Sequence, residues 1–90
     1  MYKALTVEIF ELERRDRTQY NRERSAARAY DYLAHAYIEI ASHEDGTVQR
    51  ACIQEARAAK ELANEAEARA KELAVMYRNL DGSLPEGWEI

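Results

Sequence analysis

"SHEDGT", residues 42–47, is the stretch that decides the fold of this chain. It holds the first glycine, Gly46, and neither glycine nor proline occurs before it. Without either breaker, everything upstream is free to be helical. Gly46 suits the left-handed position after a helix C-terminus, and Thr47 suits the N-cap of a second helix. His43 in the last turn complements the helix dipole. Ser42 with Asp45 offers an alternative, a capping box that starts the second helix early. Either reading makes a tight turn between two helices, hence an antiparallel hairpin.

Upstream of the turn the apolar pattern is helical. Ala26, Ala29, Leu33, Ala36 and Ile40 form one stripe, and Ala27, Tyr30, Ala34, Tyr37 and Ala41 form the stripe beside it. Together they make the broad apolar face of a core-facing helix. Arg28, Asp31, Tyr32, His35 and Glu39 occupy the opposite face. Further back, Tyr2, Leu5, Ile9 and Leu12 recur at spacings of three and four, an amphipathic face. The segment "LTVEIF" also carries β-branched residues that a short strand would accept. Between these faces lies "ERRDRTQYNRERS", polar apart from Tyr20, with Glu11–Arg15 and Glu13–Arg17 as i, i+4 pairs. Thr18 could cap a fresh helix there, so the sequence leaves open a break near Asp16–Thr18.

Downstream, Cys52, Ala56, Ala59, Ala63, Ala66, Ala70, Leu73, Tyr77 and Leu80 alternate four and three apart, a heptad-like seam built mostly of alanine. Alanine there allows a close approach of the facing helix. Glu65–Arg69 and Glu67–Lys71 brace the exposed side. Gly82 fits a helix C-cap, with Leu84 placed for the accompanying contact and Pro85 barring continuation. The expected elements are a helical arm over about 3–16, helices over about 18–43 and 47–80, and an irregular tail over 81–90. Trp88 and Ile90 in that tail either fold back over a bundle end or anchor a partner.

The expected fold class is therefore all-α: a long antiparallel helical hairpin with an N-terminal helical arm. A chain of 90 residues is one domain at most. It is hydrophobic at 47%, but much of that is alanine, which contributes little area to a core. Oligomerisation would supply the missing burial. Two hairpins paired as a four-helix bundle in a homodimer would cover the apolar faces, with Tyr30, Leu33, Tyr37 and Ile40 at the oligomer interface.

The net charge of −4 argues against general nucleic-acid coating. The single cysteine, Cys52, excludes an intrachain disulfide and points to a reducing, cytoplasmic setting. The amino-terminal apolar run is cut by Glu8 and Glu11, which fits neither a signal peptide nor a membrane span.

Candidates for chemistry are sparse. Asp31, His35, Glu39 and His43 recur every four residues as a ligand-type stripe, but the stripe spans about three turns, so one ion could not use all four. None of the familiar zinc spacings is present. His35 between Asp31 and Glu39 resembles an oriented base without a nucleophile beside it. Ser25, Ser42 and Ser83 fall at expected helix ends, where serine caps. Cys52 on the seam reads as a small hydrophobe. No phosphate loop or dinucleotide fingerprint occurs. The expectation is no catalytic residues, no metal and no cofactor.

One local feature stands out. Arg14, Arg15, Arg17, Arg22, Arg24 and Arg28, with Tyr20 among them, form a basic island in an acidic chain. Arginine with tyrosine suits phosphate binding and base stacking, or an acidic protein surface. The functional expectation is a non-enzymatic homo-oligomeric interaction protein that binds and regulates or inhibits a macromolecule, by analogy with small phage and mobile-element proteins. The alternative is an oligomeric binder that sequesters or senses an anionic small molecule, such as a nucleotide, between subunits.

Overall fold

The computed structural model describes the backbone of residues 2–89 and the side chains of residues 7–89. The side chains of Tyr2 and Leu5, expected on the arm's apolar face, lie outside the described residues, as does Ile90. Two helices make up the fold: α1, Tyr2–Ser42, and α2, Gly46–Tyr77. They pack as a hairpin measuring 67 × 25 × 16 Å. No strand occurs among the described residues, so "LTVEIF" is helical.

The break considered near Asp16–Thr18 does not exist, and the arm is simply the first part of α1. Thr18 does not cap. Its Oγ1 donates back to the Arg14 carbonyl at 2.9 Å, the bond a helix-interior threonine makes. Glu13 and Arg17 stand 3.9 Å apart across one turn. Ser25, expected at a helix end, is therefore in the middle of α1.

The turn forms where Gly46 stands, at φ +62°, a conformation that favours glycine. The capping differs from expectation. Asp45, extended at φ −135° and ψ 173°, is the N-cap, its side chain makes no capping bond, and Thr47 falls inside α2. Ser42 Oγ donates to Glu39 O at 2.6 Å instead of building a capping box. The last carbonyls of α1 are satisfied by His43 N to Ile40 O, by Glu44 N to Ala41 O, and by Gln49 Nε2 reaching across to Ala41 O.

The inner row of α1 is Tyr20, Ala27, Ala34 and Ala41, seven residues apart and buried. It faces buried Ala56, Ala59, Ala63, Ala66, Ala70 and Ala74 of α2. A sustained seven-residue repeat keeps two helices in contact along their length. Alanine thus meets alanine along the seam, and Tyr30 and Tyr37 are half-buried along one edge. Burying one methyl stabilises by about 0.8 kcal/mol, so the seam alone is a weak clasp.

Larger side chains gather at the end away from the turn. There α2 stops at Tyr77, and Arg78 turns extended while its N–H still bonds Ala74 O. Leu80, expected on the seam, lies past the helix end and is fully exposed. Gly82, expected as the C-cap, instead shapes a turn at φ +86° within the tail, residues 78–89. That tail folds back. Trp88 is 5% exposed and clusters with Tyr20, Ala70 and Ala74, with Leu73, Tyr77 and Leu84 packed around them.

Candidate functional site

Ion pairs across the seam define two edges of the hairpin. On the first, Arg24 pairs with Glu67, and Lys60 Nζ lies 2.5 Å from Asp31 Oδ1. On the second, Arg69 Nε lies 3.0 Å from Glu23 Oε2. The expected braces Glu65–Arg69 and Glu67–Lys71 give way to these pairs because Arg69 and Glu67 sit close enough to α1 to cross it.

The tail lies over the first edge at the open end. The Trp88 ring is 4.9 Å from that of Tyr20 and 4.8 Å from that of Tyr77, both tilted. Its Nε1 donates to Glu13 Oε1 at 2.9 Å. Asn21 grips the tail backbone twice, donating from Nδ2 to Gly87 O and accepting from Glu89 N, each at 2.9 Å. Tyr20 Oη donates to Glu89 O at 2.5 Å. Tyr77 Oη donates to Asp16 Oδ2 at 2.6 Å, and this bond, with desolvation, pushes the Tyr77 phenol up to about 12. Gly87, at φ +89°, passes so near Arg17 that an added Cβ would stand 3.1 Å from its Cδ. Within the tail, Asp81 Oδ1 accepts from Ser83 N and Oγ, which holds the Asp81 carboxyl below its usual value.

This lock consumes much of the basic island. Tyr20, expected on a partner or ligand surface, is buried in the core because its ring fills the open end of the seam. Arg17 faces Glu13, Arg24 pairs with Glu67, and Arg28 Nη1 lies 3.2 Å from Glu89 Oε2. Helical spacing puts Arg15 and Arg22 on the far side of α1, with Arg15 Nε 3.8 Å from Asp16 Oδ1. The six arginines therefore do not converge on one point.

The Asp31–His43 stripe is also dispersed. The Asp31 carboxylate faces Lys60, whose hydrogen bond holds its pKa low. His35 Nδ1 lies 2.8 Å from Asp31 O, Glu39 is exposed, and His43 is outside α1. Among the described residues no three His, Cys, Asp or Glu stand together as a metal site. No helix among them is long and apolar enough to cross a membrane.

What the fold leaves uncovered is apolar, and it lies in two places. The contact between Tyr77 and Asp16 places the end of α2 beside residue 16 of α1. The first dozen or so residues of α1 thus project beyond α2 by about 18 Å. Val7, Ile9, Phe10 and Leu12 on this projection are exposed, Phe10 at 68%. The second place is the second edge. Leu33 and Ile40 are 41% and 47% exposed, beside half-buried Tyr30 and Tyr37. Leu62 and Met76, seven residues either side of Arg69, are exposed in the same row of α2. The four residues expected at an oligomer interface thus all lie on one edge of the hairpin.

Sequence reasoning did not find Glu13, Asp16 and Asn21 as the receptors of the tail. Each is a lone polar residue in a charged stretch, and no spacing marks it. The chain matches no family model, no curated protein and no solved structure.

Proposed function

We propose that this protein is a non-enzymatic interaction protein that binds and regulates a macromolecular partner through the projecting amino-terminal part of α1. The observation that carries this reading is the projection itself. Val7, Ile9, Phe10 and Leu12 form an apolar arc with no α2 beside it, while the tail fixes the helix only from Glu13 onward. An amphipathic helix end of this kind suits a partner that lays a helix or groove against it. Glu8 and Glu11 border the arc, so a partner segment with a basic border is complementary.

The experiment is capture of cross-linked partners from the source cell with the parent protein and with Phe10→Glu, both checked for helicity by circular dichroism. The expected result is one partner retained by the parent and lost from the variant. A partner held equally by both would remove the projection from the account. The alternative, a nucleotide-like anion held between subunits, draws support from Arg14 and Arg22, which form no ion pair among the described residues. It is tested by a thermal-shift screen with Arg22→Glu as control.

A further inference from the structure

The uncovered row along the second edge has an internal order. Leu12, Gln19, Ala26 and Leu33 are seven residues apart and share one row of α1. The row reads large, polar, small, large, and it keeps that pattern of ends when reversed about a point between Arg22 and Glu23. A surface that maps onto itself under a two-fold rotation is what an isologous contact needs. We infer that a second copy of this chain docks there, with the two α1 helices antiparallel and the two-fold axis between Arg22 and Glu23.

The register follows by counting. Leu12 meets the partner's Leu33, and Gln19 meets the partner's Ala26. Either side of this row, Arg22 joins the partner's Glu23, whose Oε2 already faces Arg69 and whose Oε1 accepts from Gln19 Nε2 at 2.8 Å, Arg15 meets the ring of the partner's Tyr30, and Ile9 meets the partner's Ala36. Each is a match in charge or size: an ion pair, a cation over an aromatic face, and a branched side chain over a methyl. The parallel arrangement fails on the same residues, because Arg15 would face Arg15 and Arg22 would face Arg22. The same rotation sets Leu62 of α2 against the partner's Met76, covering both exposed side chains.

From Leu12 to Leu33 is about 32 Å along the helix. That contact and the α2 contact of about 21 Å, each roughly 10 Å wide, cover on the order of 500 Å² per copy, against the ~800 Å² per partner of a standard stable interface. The charged layer at the axis fixes the register, as a single polar layer does in paired helices.

Cysteine cross-linking tests the register in the full chain with Cys52→Ala. Leu12→Cys and Leu33→Cys together should form a covalent dimer on mild oxidation, because these positions lie too far apart on one helix to join within a chain. Either substitution alone should give little cross-linked product. Arg22→Glu, without any added cysteine, should weaken self-association at least tenfold in sedimentation. Efficient cross-linking of Leu12→Cys to itself overturns the proposed register. So does an Arg22→Glu variant that associates like the parent. A parent protein that stays monomeric while circular dichroism shows it folded overturns the dimer altogether. The dimer takes Ile9 and Leu12 from the projection but leaves Phe10 uncovered, so a loss of partner capture on Phe10→Glu with self-association unchanged separates the two readings.

Discussion

Replacing Trp88 with alanine should remove most of what holds the open end of the hairpin. The ring is 5% exposed and sits between Tyr20 and Tyr77, with its Nε1 on Glu13. Truncating a buried tryptophan costs about 3–5 kcal/mol. The two ring contacts, about 0.5–1.5 kcal/mol each, are contained in that figure. No other packing among the described residues replaces it, because the buried remainder of the seam is alanine. For a domain of this size a loss of 1 kcal/mol lowers Tm by about 4–8 °C, so a fall of at least 12 °C is expected. Thermal melts followed by circular dichroism at equal protein concentration measure it. The parent offers a second readout: Trp88 is its one tryptophan, so its emission should shift red in a single transition with helix loss. A Tm within 4 °C of the parent would mean the tail is an ornament on a hairpin that stands without it.

Three further outcomes follow from the same contacts. Asn21→Ala leaves Gly87 O and Glu89 N without their side-chain partner and should cost about 1–3 kcal/mol by urea unfolding. Gly87→Ala should destabilise by about 1–3 kcal/mol, since φ is +89° and the Arg17 side chain must shift slightly to admit the added methyl; an unchanged urea midpoint would contradict that geometry. The Tyr77 phenol, raised by its bond to Asp16, favours the folded state in its protonated form. That contribution is fully present below pH 10 and is lost as pH rises through about 12. Absorbance titration of the six tyrosines should show a late phase near pH 12 that Asp16→Ala removes.

The hairpin was readable because its signals are local and periodic. Gly46 marks the turn, and the four-and-three spacing from Ala56 to Tyr77 marks the seam. The unbroken α1 was less readable. Thr18 has the same chemistry as a cap and as a helix-interior residue, and only its bond to Arg14 O decides. How much of the basic island is engaged within the chain was not legible for a physical reason: charge density along a sequence says nothing of which carboxylates arrive from elsewhere. Glu67 and Glu89 reach Arg24 and Arg28 from 43 and 61 residues away in the chain. Tyr20 was read with the arginines around it, but heptad spacing to Ala27, Ala34 and Ala41 already placed it on the core row. The tail's fold-back was one of two readings of Trp88, and the choice rests on Glu13, Tyr20 and Tyr77 converging from two helices.

The uncovered apolar edge carries the proposed dimer, and sedimentation equilibrium of the full chain at micromolar concentration tests it most directly. The account predicts twice the chain mass of 10.4 kDa, with dissociation only on dilution or on Leu33→Asp. A single species of 10.4 kDa across the whole concentration range, with α1 and α2 intact by circular dichroism, would contradict it.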